Sequence, residues 1–170
     1  RDRPGAAPSG FDRLCVVDEP LVMAFAQGHL KLDRERTRAR AAARLQWSDV
    51  VAEPLVIFPR HIAPSLFDAL VSAYHAGAAS MCISQQANQM QTIVNLVSGG
   101  MGVAWVPESV TQFQRPGVCY GQVCGQPGGA LRCQTSLIWR ADALPVVHRF
   151  VDHVRGEQTV LSRKRARRRA

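Results

Sequence analysis

The chain has 170 residues, 46% of them hydrophobic and 20% charged, which suits one domain or two small lobes around an ordinary core and excludes a chain disordered throughout. No apolar run approaches the roughly 20 residues of a membrane span, and residues 1–10 lack the charged-then-apolar layout of a signal peptide. The net charge is +8, but six positive charges lie in the run 163–169 and leave +2 for the rest; such a run reads as a solvated basic tail, not as a surface that reads nucleic-acid sequence.

Residues 1–10, rich in Pro, Gly and Ala, form a frayed lead-in. Apolar runs at 14–17 and 20–26, split by Asp18 and Glu19, predict one bent strand or two strands. Residues 28–30 close that region as a loop, and the basic stretch 31–44 reads as an exposed, partly helical linker. The continuous apolar run 55–58 predicts a strand covered on both faces. Ser65 then opens a helix, with Asp68 three residues on in a capping-box-like pair. Phe67, Leu70, Val71 and Tyr74 give that helix one buried face, and Gly77 stops it. A short strand at 81–83 precedes a second helix from about 87 to 98, with Met90, Ile93, Val94 and Val97 buried and Gly99 and Gly100 at its end. Residues 103–106 are a further strand, ended by Pro107.

This β-α-β-α-β order predicts three parallel strands joined by right-handed crossovers. Ligands in open α/β sheets bind beyond the carboxyl ends of the strands, which here are residues 59–65, 84–87 and 107–109. Downstream, 118–123 and 135–139 read as strands separated by a Pro/Gly turn. Pro145 starts a last helix with Val147, Phe150, Val151 and Val154 buried and Gly156 at its end. The flanking strands predict two lobes: 1–53 with the return segment 118–156 as lobe one, 54–117 as lobe two, and 157–170 as a disordered basic tail.

The cysteines Cys15, Cys82, Cys119, Cys124 and Cys133 are odd in number and form no CxxC pair. Cys15, Cys82 and Cys119 lie in apolar runs and read as small hydrophobes. The other two with Cys119 lack the close pair and fourth ligand of a metal site, so neither metal nor cofactor is expected. Unpaired, buried cysteines suit the reducing cytoplasm. No GxSxG, HExxH or Walker-type pattern occurs, and the histidines have no partners at motif spacing. The chain does not read as an enzyme.

Four segments in order carry a family resemblance. They are EPLVMAFAQGHLKL (19–32), EPLVIFPR (53–60), QANQMQTIVNLVSGGMGVAWVPESV (86–110) and SLIWRADALPVVHRFVDHV (136–154). Together they resemble the effector-binding (LysR substrate-binding) domain of LysR-type transcriptional regulators, over about residues 10–154. The resemblance implies an α/β, type-2 periplasmic-binding-protein-like fold, with two α/β lobes around an effector cleft and the first lobe incomplete. It implies a small-molecule effector, an organic acid or aromatic carboxylate. Promoter DNA would be a partner only through a helix-turn-helix domain that this sequence lacks. Homo-oligomers are implied for the full-length family, and no membrane.

The residues themselves point to the strand exits. Arg60 and His61 lie just before the helix start at Ser65, where free N–H groups and the positive dipole end favour an anion, and Arg offers a planar fork for a carboxylate. Phe58 and Pro59 share that loop, which the resemblance makes effector-contacting. Gln85 and Gln86 end the second strand and could bond a ligand or lie in solvent. Pro107 is an apolar wall or a simple terminator. Trp139, on the closing strand, is a ligand platform or core. Two other readings stay open: a solute-binding protein of the same fold used in transport, and a remnant without independent activity.

Overall fold

The computed structural model describes residues 8–29, 43–113 and 115–167. The expectations for residues 1–7, for the linker up to residue 42 and for 168–170 lie outside them. The chain divides into two compact units, residues 19–133 and residues 1–18 with 134–170. The sequence reading drew its boundaries at 53/54 and 117/118; strand pairing carries residues 19–53 and 118–133 into the larger unit.

That pairing centres on β1 (Phe11–Ala26), one continuous strand in which Asp18 and Glu19 interrupt nothing. Leu21–Ala24 pair antiparallel with β5 (Ala104–Pro107), and Met23–Ala26 pair antiparallel with β6 (Val118–Cys124). β2 (Ala43–Gln46) runs parallel to β6 on the far side. With both edges of β1 occupied and both faces covered, Leu21, Val22, Met23, Ala24 and Phe25 are all buried, the burial that a continuous apolar run signals.

A second sheet pairs β3 (Leu55–Ile57) in parallel with β4 (Ile83–Gln86). The third predicted strand joins them only at Val103, which bridges Leu55 in parallel. There Val103 N–H donates to Pro54 C=O and Val56 N–H donates to Val103 C=O, each at 2.8 Å. From Ala104 onward the chain leaves β3 and pairs with β1 instead. The parallel trio is therefore present but short, because β1 offers β5 a longer ladder.

Helix α1 (Trp47–Val50) opens with the Gln46 N–H donating to the Asp49 carboxylate at 3.1 Å. Helix α2 (Pro64–Ala76) starts at a proline, with Ala63 as a cap residue that supplies no side-chain bond. The predicted Ser65–Asp68 capping pair does not form, because Asp68 is held by Arg60. Helix α3 (Met90–Ser98) buries Ile93, Val94 and Val97 as expected. Both α2 and α3 end in the 6→1 and 5→2 bond pair of a Schellman motif: Ala79 N–H to Tyr74 C=O with Ala78 N–H to His75 C=O, and Met101 N–H to Leu96 C=O with Gly100 N–H to Val97 C=O. The left-handed position is Gly100 in α3 but Ala78 (φ +52°) in α2, one residue after the glycine expected to stop the helix.

The larger unit has an aromatic centre. Tyr74 is fully buried, and the Trp105 indole N–H donates to its hydroxyl at 3.3 Å. The Trp47 ring meets Tyr74 edge-on at 5.0 Å and lies 6.4 Å from Trp105.

In the smaller unit β7 (Arg132–Arg140) pairs with β1, and Arg13 donates to the Ser136 hydroxyl at 2.9 Å. Helix α4 (Pro145–Arg167) runs past Gly156, where it was expected to end. One glycine costs a helix interior only about 1 kcal/mol, and the flanking Arg, Glu and Gln are good helix formers. The segment assigned from sequence to a basic tail thus carries helical backbone to Arg167. The Gln158 amide donates to the carbonyls of Cys15 (2.9 Å) and Val16 (2.6 Å). Val151 is buried, but Phe150, expected beside it, is 56% exposed. Cys15 and Cys82, read as buried hydrophobes, are also exposed, while Cys119 is buried. Alternation along β1 turns Cys15 outward, and Cys82 immediately precedes β4.

Candidate functional site

The larger unit gathers the predicted strand exits at one edge. The parallel register sets Ile57 opposite Gln86, and Ala87 N–H donates to Ile57 C=O at 3.0 Å. The loop Phe58–His61 and the pair Gln85–Gln86 therefore leave the sheet side by side. β5 runs in the same sense through the Val103 bridge and ends at Pro107. Phe58 is buried, Pro59 and Pro107 are half-buried, and Arg60, His61, Ser65, Gln85 and Gln86 are exposed. Trp139 is buried in the smaller unit, and its indole N–H has no hydrogen-bond partner among the described residues.

The charge at this edge is already engaged. Arg60 donates through Nε and an Nη to the two oxygens of Asp68, both at 2.8 Å, in a bidentate pair on the exposed surface. The hydrogen bonds from Arg60 hold the Asp68 carboxyl below the ordinary carboxylate range, and the same bonds raise the Arg60 guanidinium. Being exposed, the pair is screened by water and is weak as a structural tie.

The third exit carries an internal anion as well. The Glu19 carboxylate accepts from the backbone N–H (2.6 Å) and the hydroxyl (3.0 Å) of Ser109, in the 3₁₀ helix Glu108–Phe113. It occupies donors that a helix start leaves free.

None of the candidate site residues named from the sequence lines the hollow between α3 and that 3₁₀ helix. It measures about 270 Å³ and is lined by α3 residues Met90, Gln91, Val94 and Asn95, with Val110, Phe113 and Arg115 opposite. Met90 and Val94 read in the sequence as core, and Arg115 carried no motif. The one local signal was Arg-Pro-Gly at 115–117, a turn that fixes where that arginine sits. Among the described residues no group of three or more His, Cys, Asp or Glu could hold a metal ion. No described helix is long and apolar enough to cross a membrane.

Comparison with known proteins bears on this arrangement. The sequence pattern of the LysR substrate binding domain matches residues 1–159. The HTH-type transcriptional regulator IlvR of Caulobacter vibrioides is 40% identical over 89 residues, 52% of this chain and 29% of that protein. BudR of Raoultella terrigena, also an HTH-type transcriptional regulator, is 27% identical over 150 residues, 88% of this chain and 48% of that protein. The chain thus spans about half the length, or less, of these curated relatives. Among solved structures, CbnR, a LysR family transcriptional regulator, superposes with TM-score 0.68 at 22% identity, covering 88% of this chain and 48% of that one. The BenM effector binding domain with its effector benzoate gives TM-score 0.67 at 15% identity, covering 92% of this chain and 67% of that one. Likeness at such identities establishes the fold, the type-2 periplasmic-binding-protein-like α/β fold.

Proposed function

Since this chain belongs to the LysR substrate-binding domain family, we propose that it is the effector-sensing part of a LysR-type transcriptional regulator and binds a small carboxylate-bearing molecule at the edge where β3 and β4 end. The observation that carries this reading is Arg60. Its guanidinium fork already grips a carboxylate in bidentate fashion, that of Asp68, which is the geometry an acid effector would need. The pair is exposed, so an incoming carboxylate can exchange with Asp68 at little cost in burial. Phe58, Pro59 and Pro107 would offer apolar contact, and His61, Ser65, Gln85 and Gln86 polar contact. Trp139 lies in the smaller unit and has no part in this reading. No chemical step is part of it, and DNA binding would fall to a helix-turn-helix domain outside this sequence. The reading implies work in the cytoplasm.

Benzoate, the effector of the similar BenM domain, is the first probe. Titration calorimetry with the parent, Arg60→Gln and Gln86→Ala should give saturable binding that the arginine variant weakens about tenfold, the worth of a charge-assisted hydrogen bond. Equal affinity in the parent and Arg60→Gln would sink the assignment.

A second reading, a chain without independent activity, has one observation in its favour. Ile138, Leu144, Val146 and Phe150 of the smaller unit are between 56% and 71% exposed, an apolar surface that favours association. A broad, non-cooperative thermal melt together with concentration-dependent aggregation would support it.

A further inference from the structure

We propose that the hollow between α3 and the 3₁₀ helix is a separate small-molecule site, one that takes a monocarboxylate with a short apolar tail. Its volume of about 270 Å³ lies just below the roughly 300–1,000 Å³ of drug-sized sites and suits a guest of about ten non-hydrogen atoms. Helix α3 contributes two rows at i, i+4 spacing: the apolar pair Met90 and Val94, and beside it the amides Gln91 and Asn95. The opposite wall uses i, i+3, the spacing that coincides on a 3₁₀ helix, to set Val110 and Phe113 on one face. Val94 and Val110 are each only 4% exposed and make an apolar floor, while Phe113 leaves a full ring 75% exposed at the side.

Arg115 supplies the only charge among the described lining residues. Unlike Arg60 and Arg140, each of which forks onto an aspartate, it makes no side-chain hydrogen bond or ion pair among the described residues. Its backbone is nonetheless fixed. Val118 N–H donates to Arg115 C=O at 3.2 Å, closing a turn with Pro116 second and Gly117 third. Gly117 has φ +80°, the value a type II turn demands at that position and the reason for glycine there. The Ser98 hydroxyl at the end of α3 donates to Pro116 C=O at 3.1 Å, and Gln27 N–H donates to Gly117 C=O at 2.8 Å. The backbone that carries a guanidinium is thereby fixed beside an apolar trough, next to two amides and no acidic residue among the described lining. A carboxylate matches the fork and a hydrocarbon tail matches the floor. An inorganic anion would leave the floor wet, and an uncharged oil would leave the cation unused.

The test uses the full chain and two probes of one length, octanoate and 1-octanol, with calorimetry and amide chemical shifts as readouts. Octanoate should bind more tightly than 1-octanol and perturb residues 90–95 and 110–115. Arg115→Gln should weaken octanoate about tenfold and leave 1-octanol and the melting temperature unchanged. Gln91→Trp, a change at an exposed position, should fill the hollow and block both probes. Arg60→Gln should leave the octanoate-induced shifts of residues 90–95 and 110–115 intact, which separates this site from the strand-exit reading. Octanoate that fails to shift residues 90–95 and 110–115 of the parent at millimolar concentration, or that shifts them in Arg115→Gln as readily as in the parent, overturns the proposal.

Discussion

Gly77 lies against the edge of Trp47: a Cβ at position 77 would come within 2.7 Å of the indole Nε1 and 3.2 Å of two ring carbons. Gly77 itself has φ −85°, a value open to any residue. The glycine is therefore demanded by packing, not by the helix end it adjoins, and the indole sits in the aromatic centre with Tyr74 and Trp105. Gly77→Ala should cost about 1–3 kcal/mol, the usual penalty for overpacking a tight contact. Urea unfolding of the variant against the parent measures it, and an unchanged midpoint would mean that Trp47 can move away freely.

The same helix end makes the opposite prediction one residue later. Ala78 holds the left-handed position of the Schellman motif with φ +52°, a conformation costing a non-glycine residue about 1–2 kcal/mol. Ala78→Gly should relieve that strain and raise stability by up to about 1 kcal/mol, the looser unfolded chain offsetting part of the gain. Ala69→Gly, at an exposed position in the helix interior, should lower stability by about 1 kcal/mol and serves as the control in the same denaturation series.

Tyr74→Phe removes the hydroxyl that accepts the Trp105 indole N–H and leaves that donor buried without a partner. The expected loss is about 1–3 kcal/mol, read from thermal or urea unfolding. Tyr74→Phe with Trp105→Phe, in which both polar groups go, should recover part of it.

Burial pushes the Tyr74 phenol up, with the Trp105 hydrogen bond acting weakly against it, and burial pushes Tyr120 in the same direction. Below the unfolded tyrosine value of about 10 both states keep these protons and stability is flat on their account. Above it the unfolded chain loses protons that the fold retains, so stability falls as pH rises toward the folded values. Stability measured between neutral pH and pH 11 should bend downward near pH 10, less steeply in Tyr74→Phe. A parent curve without that bend would show that the fold does not hold the phenols neutral.

Asp68→Asn should improve benzoate affinity a few-fold, because it removes the carboxylate that competes for Arg60 and exposed ion pairs are individually weak. Lowering the pH should not act in the same sense, because benzoate, an ordinary carboxylate, takes up its proton before the depressed Asp68 does. The bond from Arg60 depresses the Asp68 value, so the pair persists above the ordinary carboxylate range and is lost only as pH falls through the depressed value. Calorimetry on the two proteins at neutral pH checks the first part, and weaker binding by Asp68→Asn would contradict it.

Periodicity made much of the larger unit legible. The run 55–58 is buried throughout, and the α3 stripe of Ile93, Val94 and Val97 faces inward as its spacing implies. Partner choice was not legible. Nothing local distinguishes a β5 that stays with β3 from one that leaves after Val103 for β1, because both partners are apolar. Asp68 satisfied the spacing of a capping pair, yet a guanidinium eight residues earlier outcompeted the helix N–H groups for it. Phe150 fell on the predicted helical stripe, but it lies at the exposed margin of that stripe while Val151 is buried. The exits at Phe58–His61 and Gln85–Gln86 followed from topology and do adjoin. Arg115 escaped notice because its surroundings come from α3 and a 3₁₀ turn that meet only in the folded chain.

The Pro116–Gly117 turn gives Arg115 a further property. Proline limits the backbone freedom there before the chain folds, and the Ser98 and Gln27 hydrogen bonds complete the restriction when it does. Whatever associates with that guanidinium meets a main chain already immobilised, so the entropy of ordering it is charged to folding and not to the encounter. Replacing Pro116 with a freer residue should then show itself first as faster dissociation of the guest, before any change in the contacts it makes.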